Sequence, residues 1–424
     1  MTSLNPRDPY TQEELEKLYP RDLKLQLVQV VNARRCLLGF KILTDYFTRE
    51  DWPYCNVARR MIQMAASNQD LSQWKGFEWR KKTEAFGDRD EAVVAVGATG
   101  DIEGICQHGE LTDRGRETTF ALGQRLRHLY VDQLGFMPKI KSDTEDMYLR
   151  ATPIPRALES LQQAFWGMYP ASARTQDFPP PVIVARSVSE ETLFPNEGNC
   201  RRFRQLARLF ADRAALRWNE TEQMNYINSI LSKWMPEKSP KVAVDSHPRL
   251  SGINDTINAT DAHGPATRLP SEFYDKKLRQ YMEQIAVDEW FAGYNESTEY
   301  RKLGIGALLG DVVDRMGSSN SNTSTPPPPS ETARAPLASF PDPARQSLQK
   351  HYVRIRYNDV PVRIPGCAAK PQNHLAGDDT FCTLDAFKEI VDKFTPKNWR
   401  EECTENIGAG LYGKDDKEKA VSGF

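Results

Sequence analysis

Two segments of this 424-residue chain constrain its fold more than any other feature. They are ICQHGELTDRGRETTFALGQRLRHLY, from Ile105 to Tyr130, and MYLRATPIPRALESLQQAFWGMYP, from Met147 to Pro170. In the first, Thr112 or Asp113 is a suitable N-cap residue, and leucines then recur at i, i+4 and i+7. In the second, Pro155 stands where proline is favoured, at the first position of a helix. Each segment therefore predicts one amphipathic helix with a defined start.

Further helices are predicted from apolar residues at helical spacing. The residues expected on the buried faces are Leu122, Leu126 and Leu129; Leu158, Leu161, Phe165 and Met168; Phe203, Leu206 and Phe210; Phe273, Leu278, Tyr281, Met282 and Ile285; Leu308, Leu309, Val312 and Val313; and Phe387, Ile390, Val391 and Phe394. Three of these six patterns fall in the middle of the chain. They predict an inserted, mainly helical region over residues 191–316.

Strands are predicted where apolar residues alternate or run together. Leu23 to Val31 alternates and then becomes wholly apolar, as is typical of a strand that enters a buried sheet. The other candidates are Met147–Arg150, Val182–Ala185, Lys241–Val244, and Tyr352–Tyr357 with a hairpin partner around Val360, Val362 and Ile364. Strands that alternate with helices favour the α/β class. The predicted core then comprises residues 1–190 and 346–424, separated by the helical insertion and by a Ser/Pro-rich flexible linker at 317–345.

Composition excludes several classes of partner. With 56 basic and 58 acidic side chains, the chain has no global field to attract nucleic acid. No run approaches the roughly 20 apolar residues that span a bilayer, and the acidic N-terminal sequence resembles no secretory signal. These features predict a cytoplasmic protein, with a mitochondrial location left open. They do not predict an oligomeric state.

The seven cysteines are too few and too scattered to predict a disulfide scaffold. None has the spacing of a zinc ligand set, so neither a metal nor another cofactor is expected. Cys367 and Cys382 flank a loop and could pair in an oxidising compartment.

Three blocks of the sequence resemble histidine acid phosphatases, and the lysophosphatidic-acid-type branch most of all, with phytases more distant. The pattern LTxxGxxxxxxLGxxLRxxY is matched from Leu111 to Tyr130, and LRxTxxxRxxxS from Leu149 to Ser160. The stretches VRIRYNDVPVRIPGC and FCTLDAFKEIV resemble the family's last hairpin and helix. The resemblance implies a phosphoglycerate-mutase-like α/β sandwich with a helical cap. It also implies a small phosphorylated substrate or anion as the partner.

The chemistry that the resemblance implies is phosphomonoester hydrolysis through a phosphohistidine. A histidine in an RHGxRxP block attacks phosphorus, arginines neutralise the phosphoryl oxygens, and the aspartate of a His-Asp pair protonates the leaving group. Here the expected RHGxRxP position reads NARRCLLGF, from Asn32 to Phe40, and none of the six histidines is followed by aspartate. No catalytic residue is therefore assigned.

The resemblance carries over phosphate-binding residues only. Arg150 matches the family arginine that binds phosphate, although a salt-bridged structural arginine would fit the same pattern. Arg34 and Arg35 fall near the expected arginines, although an ordinary strand-to-helix loop accounts for them equally well. His108 in QHG, His247 and His263 lie outside the matching blocks and are not expected to be nucleophiles.

Three interpretations stay open at this point. The two catalytic blocks could be lost only from this form of the sequence, for example at misassigned exon edges, because good matches stop and resume abruptly. The protein could be a pseudophosphatase that binds a phosphate ligand or another protein. An active enzyme that uses other residues is the third, and it would have to replace both a nucleophile and a general acid.

Overall fold

The computed structural model describes residues 8–31, 54–67, 82–83, 93–94, 106, 110–264, 269–317 and 351–411. Its α-helices are α1 Gln12–Leu18, α2 Asn56–Ser67, α3 Asp113–Arg127, α4 Pro155–Met168, α5 Arg201–Trp218, α6 Glu222–Leu231, α7 Leu250–Ala262, α8 Lys276–Glu296, α9 Thr298–Arg301, α10 Ala307–Gly317, α11 Pro365–Ala368, α12 Leu384–Asp392 and α13 Trp399–Glu402. The strands are β1 Lys82–Thr83, β2 Val93–Val94, β3 Leu149–Arg150, β4 Ile183–Val184, β5 Tyr352–Val353, β6 Ile355–Tyr357, β7 Val360–Val362, β8 His374–Leu375 and β9 Asp378–Thr383.

Helices α3 and α4 are the two that the sequence predicts best, and they pack closely. Thr112 caps α3 by accepting a hydrogen bond from the backbone N–H of Gly115, and Pro155 stands at the start of α4. At their crossing each helix presents a glycine. A Cβ atom on Gly123 would lie 2.0 Å from the carbonyl oxygen of Ala164, and one on Gly167 would lie 2.2 Å from that of Phe120. The close approach of the two backbones therefore requires both glycines.

We expect Gly123→Ala to destabilise the protein by about 1–3 kcal/mol, because the added methyl group must push two helices apart. The measurement is the urea midpoint and the free energy of unfolding. Gly198→Ala is the control, since its Cβ would meet only the Asn196 side chain, at 3.8 Å. Equal stability of the two variants would contradict the argument.

The predicted helical region is confirmed as a run of helices from α5 to α10. Its main apolar core joins α6, α7 and α8, and a second cluster lies where α5 meets the α8–α9 corner and the C-terminal segment. Phe203, Leu206 and Phe210 are buried, as their spacing predicts. No helix in the part of the chain that the structure describes is long and apolar enough to cross a membrane. The exact domain boundaries remain a prediction, and residues 318–345 of the predicted linker lie outside the described ranges.

Four small sheets carry the rest of the described fold, and the first is the antiparallel pair β1–β2. Strands β3 and β4 run parallel, with Arg150 opposite Val184. Strand β9 lies between β5 and β8, antiparallel to both. Strands β6 and β7 form the predicted hairpin, turning at Asn358 and Asp359, which both have positive φ.

Three local predictions are wrong. Leu23–Val31 forms no strand: it has no strand partner among the described residues, and Val30 and Val31 are 52% and 63% exposed. Lys241–Val244 is a loop, because the Asn228 side chain rather than another strand satisfies the backbone of Val242. Leu158 is 40% exposed, since α4 turns Ser160, Gly167 and Met168 inward instead.

The expectation that the cysteines build no disulfide framework is also wrong. The six cysteines in the part of the chain that the structure describes all pair, as Cys55–Cys106, Cys200–Cys403 and Cys367–Cys382. Only the last pair is close in sequence, with a separation of 15 residues, and it was the one pairing suggested by the sequence. The other two separations are 51 and 203 residues, so the fold brings together cysteines that look scattered along the chain.

Candidate functional site

Arg150 lies at the carboxyl end of β3, and its side chain is only 6% exposed. Its guanidinium donates from Nη2 to Glu191 Oε1 at 2.5 Å and to Thr192 Oγ1 at 2.9 Å. From Nη1 it donates to Asp311 Oδ2 at 3.0 Å. The structure thus places this predicted phosphate-binding arginine between two carboxylates.

A second arginine reaches the same place from the neighbouring strand. Arg186 follows β4, which is parallel to β3, so both arginines leave the same edge of the pair. In open α/β sheets, ligands bind at the carboxyl ends of parallel strands. Arg186 contacts both oxygens of Asp311, each at 2.8 Å, in the fork geometry that guanidinium groups form with carboxylates and phosphates.

Glu191 and Thr192 complete the cluster. Glu191 is fully buried, and its Oε1 also accepts the backbone N–H groups of Thr192 and Leu193, each at 2.8 Å. The Thr192 hydroxyl accepts from both arginines and donates to Asp311 Oδ2 at 2.6 Å. Two polar atoms, Arg150 Nε and Glu191 Oε2, are buried without a hydrogen-bond partner among the described residues.

The charges of this cluster balance. Two guanidinium groups face the two carboxylates of Glu191 and Asp311. Burial opposes the ionisation of Asp311, but hydrogen bonds from Arg186 and Thr192 outweigh it and hold the pKa of that carboxyl below its usual range. The carboxylate is therefore charged at neutral pH and pairs with both arginines.

The other candidates from the sequence are not brought to this cluster. Arg34, Arg35 and His108 lie outside the described residues. His247 is exposed on a loop. His263 ends α7, where its Nδ1 lies 2.9 Å from the Ala259 carbonyl oxygen and its ring packs on Tyr54.

The same His263 gives a pH prediction. Burial lowers its pKa below the ordinary 6.5, so the folded state binds fewer protons there than the unfolded chain does. The contribution of His263 to the free energy of unfolding is fully present above about pH 6.5. It declines as the pH falls towards the folded pKa, by at most about 1.4 kcal/mol per pH unit. We expect His263→Gln to remove that loss when unfolding is measured at pH 7.5 and 5.5. A wild-type dependence of the free energy of unfolding on pH in His263→Gln would be the contrary result.

Sequence reasoning found Arg150 and missed its partners. A usable signal existed for Arg186, because it directly follows the predicted strand Val182–Ala185. Asp311 carried no signal, since it lies 161 residues from Arg150 in a helix whose pattern indicates only packing.

The sequence of this chain is similar to a family of known proteins. Residues 40–350 match the family model of the histidine phosphatase superfamily (branch 2). A protein named probable acid phosphatase from Schizosaccharomyces pombe is 32% identical over 91% of this chain and 95% of its own length. Lysophosphatidic acid phosphatase type 6 of Pongo abelii is 29% identical over 47% of this chain and 43% of its own.

Among solved structures, Hafnia alvei phytase in complex with tartrate has a TM-score of 0.46 and 14% identity, covering 70% of this chain and 89% of that one. The family match extends over most of the chain, and the fission-yeast relative is aligned almost from end to end. The described part of the chain combines short strands with a run of helices from α5 to α10. The chain therefore belongs to the histidine phosphatase superfamily, branch 2, as a member of the histidine acid phosphatase family.

Proposed function

We propose that this protein comes from a lineage that hydrolyses phosphomonoesters, and that the chain with the present sequence binds a phosphoryl group without turning it over at an enzymatic rate. Family membership supports the phosphomonoester as the ligand class. Arg150 supports retention of a phosphate site, because it matches the family's phosphate-binding arginine and ends a strand beside a second arginine.

One observation carries the loss of turnover. None of the six histidines lies in an RHGxRxP block, and none is followed by aspartate. Without the histidine there is no covalent intermediate, and a general acid alone contributes about 10²–10⁴ in rate. Residual activity should therefore be close to the uncatalysed rate.

An active acid phosphatase is the second candidate, and the resemblance on either side of the absent motifs favours it. Blocks that resemble the family follow residues 32–40 and flank residues 317–345, and neither interval contains an RHGxRxP or His-Asp motif. We would sequence the cellular transcript across codons 30 to 40 and 315 to 350. RHGxRxP and His-Asp segments there would establish the enzyme; a transcript identical to this sequence would establish the pseudophosphatase.

The protein with this sequence is tested directly. Turnover would be measured with p-nitrophenyl phosphate, lysophosphatidate and inositol hexakisphosphate, and binding of inorganic phosphate by calorimetry. We expect no turnover but measurable binding, lost in Arg150→Gln and kept in Arg201→Gln, which changes an exposed arginine. Turnover that vanishes when one histidine is replaced would refute the proposal, as would phosphate binding that is indifferent to Arg150.

The disulfides bear on location. Three disulfides favour an oxidising compartment, contrary to the cytoplasmic location expected from the sequence. We therefore propose that the protein matures outside the reducing cytosol. Alkylation of protein taken from its own cells, without reductant, should leave six cysteines unmodified; modification of all seven would restore the cytoplasmic assignment.

A further inference from the structure

The environment of Asp311 is the kind of environment that proteins build for a bound oxyanion. Its two oxygens accept four hydrogen bonds, one from Arg150, two from Arg186 and one from the Thr192 hydroxyl, at 2.6–3.0 Å. Guanidinium forks bind carboxylate and phosphate oxygens with the same geometry. A carboxylate in this position therefore occupies a place that a phosphoryl group fits.

The donors and the acceptor come from different parts of the fold. Arg150 ends β3, and Arg186 and Thr192 follow its parallel neighbour β4, at the edge where ligands bind in α/β proteins. Asp311 instead belongs to α10 and lies 125 residues after Arg186 in the sequence. The three hydrogen-bond donors are thus positioned by one part of the fold, and the carboxylate of Asp311 that accepts from them comes from another.

Glu191 makes an exchange at this place chemically reasonable. It holds Arg150 from a fully buried position and is itself fixed by two backbone N–H groups. Asp311, at 20% exposure, is the more accessible carboxylate. If the Asp311 side chain moved away, Arg150 would still be paired with Glu191. The guanidinium of Arg186 and the hydroxyl of Thr192 could then donate to an incoming anion.

We propose that Arg150, Arg186 and Thr192 form an oxyanion site for a phosphate or phosphomonoester, and that Asp311 is an internal competitor which occupies it when the ligand is absent. The inference rests on the proposed function, since it takes Arg150 as the phosphate-binding residue. It adds Arg186 and Thr192 as ligand contacts and makes the position of α10 a determinant of affinity. Ligand binding and the Asp311 contact exclude one another at this site.

The test is calorimetric titration of inorganic phosphate into the full chain and its variants. Asp311→Asn should bind phosphate about tenfold more tightly or better, because the competing charge is gone. Asp314→Asn is the matched control: it removes the same charge from an exposed position on the same helix, and its affinity should equal that of the wild type. Adding Arg186→Gln to Asp311→Asn should abolish the gain.

A second variant covers the case in which Asp311→Asn folds poorly. Thr192→Val changes no charge and, in an otherwise wild-type chain, should weaken phosphate binding several-fold. Unchanged affinity in both Asp311→Asn and Thr192→Val, with binding still dependent on Arg150, overturns this inference and leaves the proposed function standing. Absence of phosphate binding in every variant overturns both.

Discussion

Replacing Cys200 and Cys403 together by alanine is expected to lower the free energy of unfolding by about 5 kcal/mol. The two buried cysteines close a loop with a sequence separation of 203 residues. A cross-link of this kind removes extended conformations from the unfolded chain, and its effect grows slowly with loop length.

The Cys367–Cys382 pair provides the matched control. Its double alanine variant loses the same kind of buried bond, but the separation is only 15 residues, so the expected loss is about 3 kcal/mol. Both variants would be unfolded in urea without reductant and compared with the wild type. A greater loss from the short loop than from the long one would contradict the argument.

Arg202→Met is expected to cost about 3 kcal/mol, because it removes a fully buried guanidinium from an ion pair and leaves its carboxylate partner, which is 19% exposed, without the opposite charge. The guanidinium pairs with Glu299 through two hydrogen bonds of 2.9 and 2.7 Å. It also donates to the carbonyl oxygens of Ala409 and Gly410, at 2.8 and 3.0 Å. Methionine fills a similar volume but leaves Glu299 with only the Asn406 side chain as donor and removes the guanidinium donor from both carbonyl groups.

Arg201→Met is the control for that prediction. Arg201 is the preceding residue of the same helix and is exposed, so its replacement should change stability by no more than about 0.5 kcal/mol. Urea unfolding of both variants measures the difference. Similar stabilities would show that the Arg202 contacts contribute little.

The features that the sequence predicted correctly are mostly local. Thr112 as N-cap and Pro155 as first helical residue depend on backbone groups within one turn. The family pattern around α3 also has a physical meaning that the structure supplies: Gly123 is required because α4 approaches too closely for any side chain. Strand β3 and the β6–β7 hairpin were likewise found from short runs of residues.

The features that were missed depend on partners that are distant in sequence. An apolar run such as Leu23–Val31 becomes a strand only if a neighbouring strand pairs with it. The pattern of the run itself does not show whether such a neighbour exists. Disulfide partners follow from the fold and not from spacing, which is why Cys200 and Cys403 looked unrelated. Arg150 was identified from its motif, but the carboxylate of Asp311 that now satisfies it could not be.

The Cys200–Cys403 disulfide turns the stretch between these residues into a covalent ring. Residues 317–345 lie inside that ring. A peptide bond cut once within this interval leaves a single covalent molecule, because the disulfide still joins the start of α5 to the end of α13. Proteolysis there would therefore release two fragments only after the disulfide is reduced.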